Sequence, residues 1–378
     1  MIDKLSKYGP SIFSTMTGLA LQHGALNLAQ GFPDFPTDPK LITCVDLAMK
    51  DGYNQYSRPM GAVNLHKQIE TLVFNNYCRE VNGDEELTVY PGASFAIYLA
   101  MQALISAGDE VIIFEPAYEC YAPAIEIVGG KVIPLQLESP NFDIDWHEVR
   151  KAFSSKTKMI VINNPHNPTA KVWSKEDLDA LEELVSGTNC FILSDEVYEF
   201  INYTPTGHIS IHSRPEMIER SIVVSSFGKS LHVTGWRIGY CIAPQNVTDL
   251  MRKVNQFSVF CTNHSIQMGV ASYLENHFDP QILNSDYKAK RDFVKAGLKD
   301  SNWEVLDCEG TYFMMLDYSS ISDLPSIEFT RKLVFEKGIA TIPCSPFYSN
   351  GYDPKIARIC FAKKEETLQK AIDILCKI

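Results

Sequence analysis

Between about residues 85 and 245, short apolar segments rich in β-branched residues alternate with helical patterns. Four such segments are evident, at residues 111–114, 159–162, 191–193 and 222–224. Apolar strands separated by helices are typical of parallel sheets that are covered on both faces. The pattern therefore predicts an α/β fold with a mainly parallel sheet.

One helix is predicted between the second and third apolar segments. Leu178, Leu181, Leu184 and Val185 share its apolar face, and Ser174 is a candidate N-cap. Such a helix would connect two parallel strands as a crossover. Polar motifs that follow the apolar segments would then lie at the carboxyl ends of strands, where open α/β sheets bind ligands.

Composition narrows the class of partner. The 378 residues are 45% hydrophobic, enough for a large domain and a smaller one. A net charge of −12 and a pI near 5.3 disfavour nucleic acid and anionic membranes. No apolar run approaches the ~20 residues of a membrane span. We therefore expect small-molecule substrates, with neither nucleic acid nor membrane as partner.

The ten cysteines are scattered singly, without a Cys-x-x-Cys pair or a matched histidine spacing. This pattern favours reduced thiols over disulfides and predicts no metal site. The N-terminus lacks the basic start and apolar core of a signal peptide. We expect a cytoplasmic protein.

Both ends of the chain are assigned to one smaller domain. Residues 1–45 are rich in Gly and Pro around residues 30–36, and the pattern changes again beyond about residue 285. Residues 303–316, with Gly310 between two β-rich runs, suit antiparallel strands, and residues 365–378 suit a closing helix. The prediction is a large domain of residues 46–284 and a smaller α+β domain of residues 1–45 and 285–378.

Lys229 ends the segment Ser-Ser-Phe-Gly-Lys, and Arg237 follows eight positions later. A lysine with a hydroxyl (Ser226) and a cation nearby suits pyridoxal phosphate, which binds lysine as an imine and needs such groups for its phosphate. Lys229 would hold the cofactor and then move a proton, which requires that burial beside Arg237 lowers its pKa. An ordinary surface lysine in a loop is the alternative.

Asp195 follows the apolar segment 191–193 in the run Ser-Asp-Glu-Val-Tyr. A carboxylate at this place could pair with the pyridine nitrogen of the cofactor and keep it protonated, which makes the ring an electron sink. The alternative is a surface aspartate at the end of a strand.

Five further residues could contact the cofactor. Asn167 and Tyr198 can donate hydrogen bonds to its ring oxygen, although Asn-Pro pairs also simply initiate turns. The amides of Ala93 and Ser94 precede a helical pattern and could bind phosphate at a helix N-terminus. Tyr118 could stack on the pyridine ring, or belong to the core.

Arg358 alternates with apolar neighbours, as on a strand that faces inward. A buried guanidinium requires an anion, and a substrate α-carboxylate would be a bidentate partner. An internal Asp or Glu is the alternative.

With these motifs in this order, the chain resembles the class I/II aminotransferases of pyridoxal phosphate fold type I over essentially its whole length. It is most similar to bacterial methionine aminotransferases and to kynurenine/glutamine-type aminotransferases. The matching segments are residues 31–35, 53–56, 164–168, 194–198 and 225–229, together with Arg358.

The resemblance implies a seven-stranded, mainly parallel sheet and a role for each candidate residue. Three residues would be catalytic: Lys229 as the Schiff-base lysine, Asp195 as the pyridine partner and Tyr198. The remaining implied contacts are Asn167 and Tyr198 to the ring oxygen; Ser226, Arg237, Ala93 and Ser94 to the phosphate; Tyr118 on the ring; and Arg358, Gly31 and Asn167 to the substrate.

The resemblance also implies that Tyr56 reaches the phosphate of a neighbouring subunit, and hence a homodimer with shared active sites. Ala170 stands where many relatives have glycine, a change expected to alter a turn and not a ligand contact. No second arginine can be assigned to a dicarboxylate side chain, which favours methionine, with aromatic amino acids, kynurenine or glutamine as other donors.

The predicted activity is transfer of the amino group of L-methionine or an aromatic or kynurenine-type amino acid to a 2-oxo acid, with ping-pong kinetics. A carbon–sulfur β-lyase is the nearest alternative, since it uses the same cofactor chemistry. A ligand-sensing module of a transcription regulator is disfavoured by the acidic charge and by the absence of an N-terminal DNA-binding extension.

Overall fold

The computed structural model describes residues 4–378. The strands are β1 Leu26–Asn27, β2 Leu87–Tyr90, β3 Glu110–Glu115, β4 Lys131–Gln136, β5 Thr157–Asn163, β6 Phe191–Asp195, β7 Ser221–Ser226, β8 Gly239–Ile242, β9 Glu304–Val305, β10 Phe313–Asp317, β11 Ile339–Ala340, β12 Ile342–Pro343 and β13 Ile356–Cys360.

The α-helices are α1 Ile12–His23, α2 Pro39–Lys50, α3 Val63–Tyr77, α4 Gly83–Glu86, α5 Ala93–Leu104, α6 Tyr121–Glu126, α7 Trp146–Ala152, α8 Lys175–Val185, α9 Pro215–Ile218, α10 Phe227–Ser230, α11 Gln245–Gln256, α12 His264–Asn276, α13 Pro280–Gly297, α14 Ser326–Lys332 and α15 Glu365–Leu375. A π-helical turn, Leu333–Lys337, extends α14, and short 3₁₀ turns lie at Ile211–Ser213, Thr234–Trp236 and Ser345–Phe347.

Seven strands form the main sheet, in the order β2-β8-β7-β6-β5-β3-β4. Adjacent strands from β7 to β4 are parallel, and β8 is antiparallel to both of its neighbours. The predicted α/β fold with a mainly parallel sheet is confirmed. The predicted crossover helix is α8, and Ser174 caps it in a capping box with Asp177.

Successive side chains of each strand face opposite helical layers. Ile160 of β5 is buried in a cluster with Leu181 of α8. Its neighbour Val161 is buried on the other face with Leu193 of β6 and Leu99 of α5. This alternation explains why the inner strands β3, β5, β6 and β7 are mainly apolar, since helices cover both faces of the sheet there, whereas the edge strand β4 is partly exposed.

The C-terminal part of the chain forms a separate four-stranded antiparallel sheet, in the order β12-β13-β10-β9. The antiparallel pair predicted within residues 303–316 is β9 and β10, in which Leu316 faces Val305. Near the N-terminus, β1 pairs with β11. The predicted boundaries at 45/46 and 284/285 fall within α2 and α13, and the two-domain division stays a proposal.

Ala170 has a φ of 61° and is fully buried. This is the left-handed region, which glycine occupies without a steric penalty. The Ala170 carbonyl accepts hydrogen bonds from the amides of Glu309 and Gly310. Ala170 thus lies in a tight turn, in a conformation that glycine would adopt more easily. Within residues 4–378, none of the helices is long and apolar enough to cross a membrane.

Acid is expected to destabilise the fold through His212. This side chain is buried, and Nη1 of Arg79 donates to its Nδ1 at 2.7 Å. Burial, together with the Arg79 charge, lowers the pKa of His212 to about 3. In the unfolded chain His212 binds a proton near pH 6.5, whereas in the folded chain it does not. The contribution of neutral His212 to the free energy of unfolding is therefore fully present above pH 6.5 and is lost as the pH falls toward 3.

The measurement is urea unfolding of the wild type, H212N and H147N between pH 7.5 and 5. We expect H212N to lose less unfolding free energy than the wild type, by up to about 1.4 kcal/mol per pH unit below pH 6.5. The exposed His147 provides the matched control. If the free energy of unfolding falls equally steeply with decreasing pH in H212N and H147N, His212 binds protons in the folded chain as readily as in the unfolded one, and the prediction is wrong.

Candidate active site

The carboxyl ends of β5, β6 and β7 lie side by side and carry Asn163, Asp195 and Ser226. One cavity opens at this edge. All the predicted site residues except Tyr56 line it, namely Gly31, Ala93, Ser94, Tyr118, Asn167, Asp195, Tyr198, Ser226, Lys229, Arg237 and Arg358. Motifs that are up to 327 positions apart in sequence, from Gly31 to Arg358, thus share one site.

Lys229 lies in α10, which begins directly after β7, and Ser226 caps this turn by accepting from the amide of Gly228 at 3.2 Å. The Nζ of Lys229 lies 5.7 Å from the ring centroids of both Tyr198 and Tyr312. Burial, with a further contribution from the guanidinium of Arg358, lowers the pKa of Lys229 to about 8. About a tenth of this amine is therefore neutral at pH 7.

Asp195 is buried, and the hydroxyl of Tyr121 donates to its Oδ2 at 2.7 Å. Burial raises the pKa of Asp195 to about 6, although the Tyr121 hydrogen bond and the charge of Lys229 oppose the rise. At neutral pH the group is a carboxylate that a cation within the cavity would stabilise further. Tyr121 lies at the first position of α6, and no sequence signal marked it.

An anion seat forms around the start of α5. The helix begins at Ala93, and its N-cap Gly92 has no side chain to satisfy the first-turn amides. A Cβ on Gly92 would lie 2.5 Å from Nη2 of Arg237, so only glycine leaves room for this guanidinium. Together with the hydroxyl of Ser226 on the cavity wall, the amides and the guanidinium suit a phosphate.

Two asparagines link Asp195 to Arg358 across the cavity. Oδ1 of Asn163 accepts from the amide of Asn167 at 2.7 Å, and its Nδ2 donates to the Asp195 carbonyl at 2.8 Å. Oδ1 of Asn167 accepts in turn from Nη1 of Arg358 at 2.6 Å. Asn163 directly precedes the matching segment 164–168, and its own role depends on these tertiary contacts.

Arg358 is a buried cation on β13, with 1% of its surface exposed. Its guanidinium lies 3.8 Å from the ring centroid of Phe313 and 4.9 Å from that of Phe13. Its Nε has no hydrogen-bond partner, and it forms no ion pair with any carboxylate in residues 4–378. The internal acid considered as its partner is thus not found there, and the guanidinium is available to an anionic ligand.

Three other predicted residues shape the walls. Tyr198 is buried, with its ring at 5.2 Å and 86° to that of Tyr312, and burial raises its pKa. Tyr118 hydrogen-bonds Ser94, and burial raises the pKa of Tyr118 to about 12. Gly31 is another position that requires glycine, because a Cβ there would lie 2.8 Å from the Phe313 ring. Because their pKa values are raised, Tyr198 and Tyr118 are both neutral hydrogen-bond donors at physiological pH.

Tyr56 does not line the cavity of its own chain. Tyr56 is 83% exposed, and its ring meets that of Phe260 edge-on, at 5.5 Å between centroids. The predicted contact of Tyr56 with a neighbouring subunit's cofactor stays a prediction.

Sequence reasoning did not single out several of the residues that line the cavity. Most are apolar, and apolar residues in helical or strand patterns cannot be told from core residues without the fold. These residues are Phe13, Gln30, Ile97, Asn163, Val197 and Phe313.

Comparison with known proteins agrees with this geometry. The family model described as aminotransferase class I and II matches residues 24–375. The chain is 42% identical to a methionine aminotransferase of Escherichia coli, over 99% of this chain and 97% of that protein. It is 34% identical to a kynurenine–oxoglutarate transaminase of Dictyostelium discoideum, over 99% and 95% of the two chains. A crystal structure of an Escherichia coli protein with a methionine aminotransferase function superposes with a TM-score of 0.98 at 41% identity, covering 100% and 99% of the two chains.

Proposed function

This chain belongs to the class I and II aminotransferases, and from that premise we propose that it transfers the amino group of L-methionine, or of an aromatic or kynurenine-type L-amino acid, to a 2-oxo acid. The proposed cofactor is pyridoxal 5′-phosphate. The observation that carries this assignment is the buried guanidinium of Arg358 on the cavity wall, which has no carboxylate partner among residues 4–378 and whose Nε has no hydrogen-bond partner.

The residues present fit this cofactor. The amides at the start of α5, with Arg237 and Ser226, would hold its phosphate, and Tyr118 would lie against its ring. Asn167 and Tyr198 would donate to its ring oxygen, and Asp195 would hold the ring nitrogen in its protonated form. When bound, the cofactor withdraws electrons from the α-carbon of the amino acid.

The protein's own contribution to the chemistry is proton transfer and orientation. Nζ of Lys229, with a pKa near 8, is suited to accept the α-proton of the substrate and to return it. Arg358, the amide of Gly31 and Asn167 would hold the α-carboxylate, which fixes the α-carbon relative to Nζ. Because every amino acid and 2-oxo acid has this carboxylate, one site serves both halves of a ping-pong reaction.

The cavity walls favour an apolar donor. Among the described residues, Lys229, Arg237 and Arg358 are the cations that line the cavity, and each already has a proposed role. The apolar residues that line the same cavity include Phe13, Val197 and Phe313. The side-chain carboxylate of a dicarboxylic donor would find no further cation there, and the donors named for the relatives, methionine and kynurenine, have no such carboxylate-bearing side chain of the aspartate kind.

We further propose a homodimer with shared active sites in the cytoplasm. Tyr56 and Phe257 are 83% and 86% exposed, and Phe260 lies against Tyr56, so an apolar aromatic surface is uncovered in the single chain. A second copy that covers it would place Tyr56 near the neighbouring phosphate. All ten cysteines are unpaired thiols, which supports a reducing compartment.

A half-reaction without acceptor tests the proposed function. The purified holoenzyme is mixed with single L-amino acids while the cofactor absorbance, pyruvate and ammonia are followed. We expect stoichiometric conversion to pyridoxamine phosphate by methionine or phenylalanine without ammonia. Continuous release of pyruvate from a cysteine conjugate would instead identify the β-lyase considered above.

Arg358→Lys is expected to lower kcat/KM for methionine by about 100-fold, mainly through KM. The substitution keeps a positive charge but loses the planar, bidentate geometry that matches a carboxylate, and Asn167 loses its donor. Steady-state kinetics with both substrates measure the change, and thermal unfolding of the holoenzyme verifies that the variant is folded. A KM within twofold of the wild type would rule out Arg358 as the carboxylate partner.

A further inference from the structure

Lys363 is a buried lysine that does not line the active-site cavity. The residue is 3% exposed. Its Nζ donates to the carbonyl of Phe32 at 2.8 Å and to that of Gln30 at 3.4 Å. It forms no ion pair with any residue between 4 and 378. Its Nζ also lies 5.1 Å from the ring centroid of Phe32. Burying an ammonium without an acidic partner costs free energy, so fold stability alone does not explain a lysine at this place.

The two carbonyls belong to a longer run that the C-terminal part of the chain holds in place. Four consecutive carbonyls, those of residues 29–32, each accept a hydrogen bond from a side chain beyond residue 311. In the order of the acceptors, the donors are Arg358, Lys363, Tyr312 and again Lys363, at 3.4, 3.4, 2.7 and 2.8 Å. The carbonyls of this backbone segment are therefore oriented by side chains that are distant in sequence, whereas the amides of residues 29 and 30 donate locally to Oδ1 of Asn27.

The orientation of these carbonyls determines that of the amides between them. The Gln30 carbonyl and the Gly31 N–H belong to the same planar peptide group and point in opposite directions. The bond from Lys363 to the Gln30 carbonyl turns the Gly31 N–H away from Lys363 and toward the cavity that Gly31 lines. The bond to the Phe32 carbonyl fixes the next peptide group but one, in which Pro33 has no N–H, and so anchors the segment.

We propose that Lys363 is a positioning residue for the substrate, which orients the Gly31 amide toward the α-carboxylate that Arg358 binds. The inference rests on the proposed function, because it assumes a carboxylate at Arg358. It predicts that Lys363 acts equally on the amino acid and the 2-oxo acid, since both have this carboxylate. Proton transfer by Lys229 and cofactor binding do not depend on it.

Lys364 offers a matched control next to Lys363. Its side chain is exposed and forms no hydrogen bond or ion pair with the described residues, while its backbone amide donates to Asp34 at 2.6 Å. A second bond to Asp34, from the hydroxyl of Thr367 at 2.6 Å, also leaves the Lys364 side chain uninvolved. K363M and K364M therefore remove the same charge from the same region, but only K363M releases the carbonyls.

The experiment compares the holoenzymes of wild type, K363M and K364M. For K363M we expect KM to rise about tenfold for both L-methionine and its 2-oxo acid, with kcat within about twofold of the wild type. The dissociation constant of 3-phenylpropionate, a carboxylate without an amino group, is measured by calorimetry and should rise similarly. K364M should match the wild type in all three quantities.

Values for K363M within twofold of those for K364M would overturn the inference, as would a fall in kcat without a change in KM. Thermal unfolding verifies that each variant is folded, and K363Q with K364Q replaces the pair if K363M is not. If the wild type turns over no amino acid, the proposed function fails by itself, and the calorimetric comparison still decides whether Lys363 positions a carboxylate site.

Discussion

Replacing Lys229 with alanine is expected to abolish covalent attachment of pyridoxal phosphate and to lower turnover of methionine by about 10⁴-fold. Lys229 has two proposed tasks, holding the cofactor and moving the α-proton, and Nζ is the only lysine amine lining the cavity among the described residues. Borohydride reduction followed by peptide mass mapping locates the attachment, and steady-state kinetics measure the turnover.

The pH dependence of attachment provides a second measurement on the wild type. Because the neutral amine is the nucleophile and burial lowers the pKa of Lys229 to about 8, the attachment rate should rise with a midpoint near pH 8 and not near the ~10.4 of a free lysine. K253A, which removes an exposed lysine of α11, serves as the control for the Lys229 variant and should attach the cofactor like the wild type. A pyridoxyl group found on any other lysine of the reduced wild type would contradict the assignment.

Replacing Asp195 with asparagine is expected to preserve cofactor attachment but to lower turnover by about 10²–10⁴-fold. The amide has nearly the same shape as the carboxylate but lacks the negative charge that would keep the ring nitrogen protonated. Each pKa unit lost at that nitrogen corresponds to about 1.4 kcal/mol, and each such step in the barrier costs a factor of ten. Absorbance of the attached cofactor and single-turnover kinetics measure the two properties separately.

Tyr121→Phe separates the charge of Asp195 from its orientation. This substitution removes the 2.7 Å hydrogen bond to Oδ2 and leaves the carboxylate in place. We expect it to lower turnover less than about tenfold, because the hydrogen bond supports the carboxylate without replacing its charge. Activity of D195N within tenfold of the wild type would exclude the proposed role of Asp195.

The sequence alone determined the sheet and the reactive groups. Strands buried on both faces need continuous apolar segments, so the four segments predicted a parallel sheet, and β3, β5, β6 and β7 formed there. In such a sheet the residue after a strand falls at the ligand-binding edge, which is why Asp195 and Lys229 could be placed from their positions in the chain.

Only the tertiary structure decided how these groups are supported. Tyr121 meets Asp195 across 74 positions, and Lys363 meets Phe32 across 331. Neither contact leaves a local pattern, because a tyrosine at the start of a helix and a lysine after a strand occur commonly without such partners. Secondary structure depends on the periodicity of neighbouring residues, whereas these hydrogen bonds depend on how distant elements pack, and periodicity does not encode that packing.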